Sequence, residues 1–176
     1  MDTYMKRIIS VIALLAVLCT VLVSCKKEGN IPDGMILASG EGAKYYLYIP
    51  EDWTVDLQTA VTTAHASSDL SFVSASTWTL QNPGDTVDTW HESQLESLNA
   101  GFTDYAEVSV SDSILDGVYA KEYVYTAKHG GEDRKYRQVA AVKSGCVYVI
   151  TYSTTPELYD EHNGDVDDIL AEFRFK

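Results

Sequence analysis

Two strand-forming stretches, Arg134–Lys143 and Cys146–Ser153, meet at Ser144-Gly145, and this pair constrains the fold more than any other feature. A two-residue turn fixes strand register. Lys143 then faces Cys146, Ala141 faces Tyr148 and Val139 faces Ile150, while Val142 pairs with Val147 and Ala140 with Val149 on the other side. Both faces are apolar near the turn. A sheet of that kind must be covered on both sides.

The sequence offers two amphipathic helices as covers. Asp85 or Thr86 caps a segment running to about Ala100, in which Val87, Trp90, His91, Gln94, Leu95 and Leu98 share one helical face. Gly101 stands where a left-handed terminator belongs. Thr155-Pro156 starts a second helix, with a hydroxyl at the cap and proline at the first helical position. Asn163-Gly164 breaks or bends it, and Val166, Ile169, Leu170 and Phe173 then resume the helical spacing.

Further strands are expected at Tyr45–Ile49, closed by Pro50, and at Asp56–Ala66 and Ser71–Leu80, paired around Ser67-Ser68-Asp69. Others follow at Ala106–Ser113 and Val118–Ala127, with Lys128–Asp133 as a hairpin loop. The expected fold class is α+β: one domain over residues 44–176, a largely antiparallel sheet with helices on both faces, an α-β-α sandwich. An immunoglobulin-like β-sandwich is the competitor, and the two amphipathic helices count against it.

The amino terminus has a different character. Ile8–Val23 is apolar apart from Ser10, Cys19 and Thr20, and it follows Lys6-Arg7. Its 16 residues are short for a bilayer span, which needs about 20, and they read as the apolar region of an export signal. Leu22-Val23-Ser24-Cys25 resembles the bacterial lipobox. The resemblance implies a signal peptide over residues 1–24, cleavage before Cys25, and lipidation of Cys25 with two or three acyl chains. One chain anchors only marginally, whereas two or three hold a protein on a membrane almost permanently. Residues 25–43 contain Pro32 and four glycines (Gly29, Gly34, Gly40, Gly42), the composition of a flexible tether. Met35-Ile36-Leu37 interrupts it, either as an edge strand or as part of the spacer.

Cysteine usage agrees. Cys19 leaves with the signal, Cys25 carries lipid, and Cys146 remains alone, so no internal disulfide forms. Cys146 opens an apolar strand and reads as a small buried hydrophobe. Removing residues 1–24 takes two of 13 basic and one of 26 acidic residues and leaves a net charge of −14. That balance argues against nucleic acid, which needs basic patches, and disfavours electrostatic docking on anionic headgroups.

No residue stands out as catalytic, cofactor-binding or metal-ligating. His65, His91, His129 and His162 are not spaced with one another or with cysteine as metal ligands. Seven acids crowd Thr155–Glu172 without Lys or Arg. Asp160–Asp165 places a glycine roughly as a calcium loop would, but lacks that motif's alternating acids and distal glutamate. Acids at helix starts, favoured by the helix dipole, account for the run. Neither a nucleophile elbow nor a phosphate-binding loop nor a dinucleotide fingerprint occurs. Twelve tyrosines and three tryptophans are the remaining signal. Tyr119, Tyr123 and Tyr125 share a strand face, as do Tyr148 and Tyr152, and a helix-covered sheet face explains them.

The order of elements is similar to the PsbP-like superfamily. The likeness is carried by Ile49-Pro50-Glu51-Asp52-Trp53, the helix after Asp85, Leu115-Asp116-Gly117 leading into Tyr119–Tyr125, the hairpin into Val147–Tyr152, and a final helix ending in Phe173. It spans roughly Tyr45–Phe175. The resemblance implies an antiparallel sheet flanked by helices in a family that includes bacterial lipoproteins of unknown role, with no shared catalytic motif to transfer. The expectation is a membrane-anchored extracytoplasmic lipoprotein, held through lipid on Cys25, that binds or scaffolds a protein partner of the cell envelope without catalysis and without a cofactor. The alternative is a cell-envelope hydrolase with a loop-built active site.

Overall fold

The computed structural model describes residues 30–57 and 61–176, and the compact unit begins at Ile31. The export signal over residues 1–24 and the lipidation site Cys25 lie outside the described residues. Among those described, no helix is long and apolar enough to cross a membrane.

Four long strands form a meander: β7 (Thr103–Leu115), β8 (Val118–His129), β9 (Glu132–Lys143) and β10 (Cys146–Thr154). Their connections are Asp116-Gly117, Gly130-Gly131 and Ser144-Gly145, each with positive φ at both residues. That backbone matches the right-handed twist of the flanking strands, as primed hairpin turns do. The register at Ser144-Gly145 is the expected one, with Lys143 opposite Cys146 and Val142 opposite Val147. Beyond β10 the sheet continues through β6 (Phe72–Thr79), β5 (Thr62–His65) and β4 (Thr54–Asp56). Its order is β4-β5-β6-β10-β9-β8-β7, antiparallel throughout.

One face of the sheet carries Val139, Ala141, Tyr148, Ile150 and Tyr152 into the larger core. Short N-terminal strands contribute much of its cover. β1 (Met35–Leu37) pairs with β3 (Tyr48–Pro50), and β2 (Tyr45–Tyr46) pairs with β11 (Arg174–Phe175). Leu47 and Ile49 are fully buried there. The Tyr45 hydroxyl donates to the Ala75 carbonyl at 2.6 Å. Helix α2 (Asn163–Glu172) joins this layer, burying Val166 and Ile169, and Phe173 follows fully buried. Each such side chain contributes about 2 kcal/mol.

On the other face, α1 (Val87–Gly101) lies over Tyr123, Tyr125, Tyr136, Ala140, Val147 and Val149. The Thr86 hydroxyl accepts from the Thr89 amide and the Thr89 hydroxyl accepts from the Thr86 amide, so the helix begins where the hydroxyls satisfy its free donors.

The expected α-β-α sandwich is overturned. The described chain is mostly strand, built on one seven-stranded antiparallel sheet, with only two α-helices among the described residues. The reason is physical. Apolar faces demand a cover, but strands cover as well as helices do, and the N-terminal strands supply a large share. Beside α1 no cover is needed, because β6 places Ser74 and Ser76 opposite Thr151 and Val149, where half-exposed hydroxyls face water. Two smaller expectations also change. Gly101 does not adopt a positive φ, and Phe102 ends the helix by passing into extended backbone, its amide still bonded to the Leu98 carbonyl. The segment after Thr155-Pro156 is a single 3-10 turn, Pro156–Leu158, separate from α2.

Candidate functional site

A cleft of about 700 Å³ opens between α1, the end of β6 and the loop joining them. Local sequence builds each wall. Trp90, Ser93, Gln94, Ser97 and Leu98 recur at helical spacing and so share one flank of α1. Pro83-Gly84 breaks the chain, the Asp85 amide donates to the Asn82 carbonyl, and the Leu80 amide donates to the Gly145 carbonyl. Those bonds hold Gln81, Asn82 and Asp85 along the rim. Trp78, 52% exposed, stands opposite Val147 on β6, with Val149 and Gln138 below. Asp85 is the one titratable residue lining the cleft. A second cleft of about 590 Å³ lies on the β5 side of Trp78, where Lys44 and Asp56 contribute charge.

The histidines go elsewhere. His162 is pinned between two carboxylates: Nε2 lies 2.8 Å from Asp69 and Nδ1 lies 3.2 Å from Asp165. The indole of Trp53 meets its ring edge-on at 5.6 Å. Burial works against the charged ring, yet the two carboxylates win and raise its pKa. Asp69 also accepts from the Ser71 amide at 2.6 Å and from the Ser68 hydroxyl at 3.1 Å. Burial opposes its ionisation, but these donors and His162 hold the carboxyl well below the usual range. With both ring nitrogens facing carboxylates, His162 is a clamp between Asp69 and Asp165 and has no nitrogen turned toward a ligand.

His91 is the reverse case. It lies on the buried side of α1 and stacks on Tyr123 at 3.6 Å, with neither ring nitrogen hydrogen-bonded. Burial lowers its pKa. The Tyr123 and Tyr105 hydroxyls nearby are also buried without partners. His65 sits 3.8 Å from Asp56 at the sheet edge, and His129 packs against Phe102 beside the Gly130-Gly131 turn. The four are not brought together.

Acids of the C-terminal run are spent on neighbours. Asp165 faces His162, Asp167 accepts from Arg137 at 2.7 Å, and Asp160 accepts from Asn163 at 3.2 Å. Among the described residues no group of three His, Cys, Asp or Glu side chains is placed to hold a metal ion. Cys146 is buried with its sulfur 3.3 Å from the Lys44 ammonium, which donates to it.

Sequence reasoning placed Trp90 and Gln94 on one helix face but missed their partner Trp78, whose signal was strand parity. It also missed Asp69, which lies 93 positions from His162 and reads locally as a turn residue.

No family model matches this sequence, and no curated protein matches it. Solved structures do. Cyanobacterial PsbP (CyanoP) from Synechocystis sp. PCC 6803 aligns over 88% of this chain and 99% of its own, with 15% identity and a TM-score of 0.62. LpqN of Mycobacterium tuberculosis, involved in cell envelope biogenesis, aligns over 81% and 89%, with 14% identity and a TM-score of 0.57. A protein from Bacteroides thetaiotaomicron aligns over 82% of this chain and 49% of its own, with 10% identity and a TM-score of 0.54. At such identities the likeness carries the architecture alone, and the architecture is PsbP-like.

Proposed function

We propose that this chain is a lipid-anchored extracytoplasmic module that binds a component of the cell envelope and does not turn it over. The observation that carries the reading is the make-up of the larger cleft: two indoles and several neutral amides and hydroxyls, with Asp85 as the single titratable group and no second one to share a proton transfer with it. Such a lining holds a ligand, whereas acid–base chemistry wants a group poised to take a proton. The hydrolase alternative is weakened because His162 is committed on both nitrogens and His91 is sealed on the buried side of α1. LpqN, an envelope biogenesis protein of the same architecture, supports the extracytoplasmic setting. Lipid on Cys25, a few residues ahead of the compact unit that begins at Ile31, would confine the domain near its ligand and raise the effective concentration, to about millimolar for a short tether.

Two measurements test this. Cys25→Ala should move the protein from the membrane to the soluble fraction, and continued retention would refute anchoring there. Crosslinking in intact cells should capture an envelope component, and an empty capture would refute the binding role.

A further inference from the structure

Resting on that binding reading, we propose that the cleft between Trp78 and Trp90 is a saccharide site that takes a neutral sugar of one or two rings. Three observations converge on this ligand class. The first is the pair of indoles. Aromatic rings of this domain mostly pair: Tyr45 stacks on Phe173, Tyr125 on Tyr136, and Trp53 meets His162. Among the described residues, Trp78 and Trp90 have no ring partner: Trp78 is half-exposed, Trp90 rests partly on the core, and both line one cleft. An unpaired indole face is what the apolar C–H face of a pyranose covers.

The second observation is the polar complement. Gln81, Asn82, Gln94 and Gln138 bring four primary amides to the same cleft. Gln138 donates to the Thr151 hydroxyl at 3.1 Å, and Gln94 donates to the Ser93 hydroxyl at 3.0 Å. Both carbonyl oxygens are thereby left to accept from a ligand, and each amide group both accepts and donates. Sugar hydroxyls also do both. A hydrocarbon would strip these amides of water without replacing its hydrogen bonds, which is costly. A quaternary ammonium would suit the indoles but offers the amides nothing.

The third is charge. With Asp85 as the sole charged lining residue, in a chain of net charge −13, an anion gains no partner and meets a repulsive field. The volume of about 700 Å³ falls within the roughly 300–1,000 Å³ of small-molecule sites.

The test uses the full chain, indole-¹⁵N-labelled and held in a zwitterionic detergent free of sugar headgroups, titrated separately with cellobiose, N,N′-diacetylchitobiose and choline chloride. Trp53, 3% exposed, is the internal reference. At millimolar sugar, the Nε1–H resonances of Trp78 and Trp90 should shift saturably while that of Trp53 stays in place. Trp78→Ala removes a half-exposed ring and should weaken binding about tenfold or more without lowering the melting temperature. If that variant does not fold, Gln94→Ala, on the helix flank, should weaken binding severalfold. No saturable shift with either sugar, equal movement of all three indoles, or a response to choline alone would overturn the saccharide assignment. In-cell crosslinking reads the parent proposal independently: capture that persists in Trp78→Ala would leave a binding module whose ligand sits elsewhere.

Discussion

The two faces of the sheet treat buried histidine in opposite ways. Under α2, the charged groups arrive with partners, although Thr77 Oγ1 and Asn163 Oδ1 are buried without one. His162 has Asp69 and Asp165, Arg137 has Glu122 and Asp167, and Ser71 meets Thr154 at 2.7 Å. On the α1 face, His91, Tyr123 and Tyr105 are buried with polar atoms unsatisfied, and stacking does the holding. The lesson is that burial alone does not set a histidine's charge. Carboxylates within hydrogen-bond reach raise the pKa of His162, whereas desolvation lowers that of His91. Directional pairs hold the surroundings of His162, and ring packing holds those of His91.

The largest break in this comparison should come from Asp69→Ala. It leaves His162 and the Ser71 amide without their nearest acceptor and should cost about 3 kcal/mol in urea denaturation. A loss below about 1 kcal/mol would mean that Asp165 suffices.

Smaller effects come from pH, with opposite signs on the two faces. The folded pKa of His162 is raised, so its contribution is full below the unfolded value of about 6.5 and fades as pH rises through the folded one. The Asp69 pKa is depressed, so its contribution is full above about 3.9 and fades as pH falls through the folded value. The clamp is therefore strongest between about pH 4 and 6.5. His91 has a lowered folded pKa, so its face is stable above about 6.5 and weakens as pH falls through the folded value. Stability curves of His162→Asn should lose the alkaline decline, and those of His91→Phe should lose the decline below neutrality. Exchange of those two outcomes would reverse the assignment of charge.

The smallest effect is a gain. His91→Phe keeps a ring on Tyr123 and removes two unsatisfied nitrogens, so it should stabilise by about 1 kcal/mol. Thermal denaturation at pH 7.5 checks it, and destabilisation would show that the imidazole has a polar partner in solution.

What could be read in the sequence follows from how locally each feature is encoded. Ser144-Gly145 fixes register over short range, and β9 pairs with β10 as the alternation requires. Thr86 and Thr89 mark a helix start within four residues. The strand Met35–Leu37 pairs with Pro50 through Tyr48, yet three apolar residues among glycines read equally well as spacer. The helices on both faces failed as an expectation because apolar alternation tells that a face is covered and not by what. The cleft was half legible: Trp90 and Gln94 share a helix flank, but only the β6–β10 register brings Trp78 to the same side.

The three two-residue turns of the meander also bear on how the chain assembles. Neighbouring strands joined so closely pay little loop-closure entropy, and contacts of low sequence separation form fastest. Strands β7 to β10 can therefore zip as a seed before anything distant arrives. β6 must then find β10 across some 70 residues, and β2 must wait for Arg174 and Phe175, near the chain's end. Such a domain closes from the meander outward, with β2 and β11 locking together last.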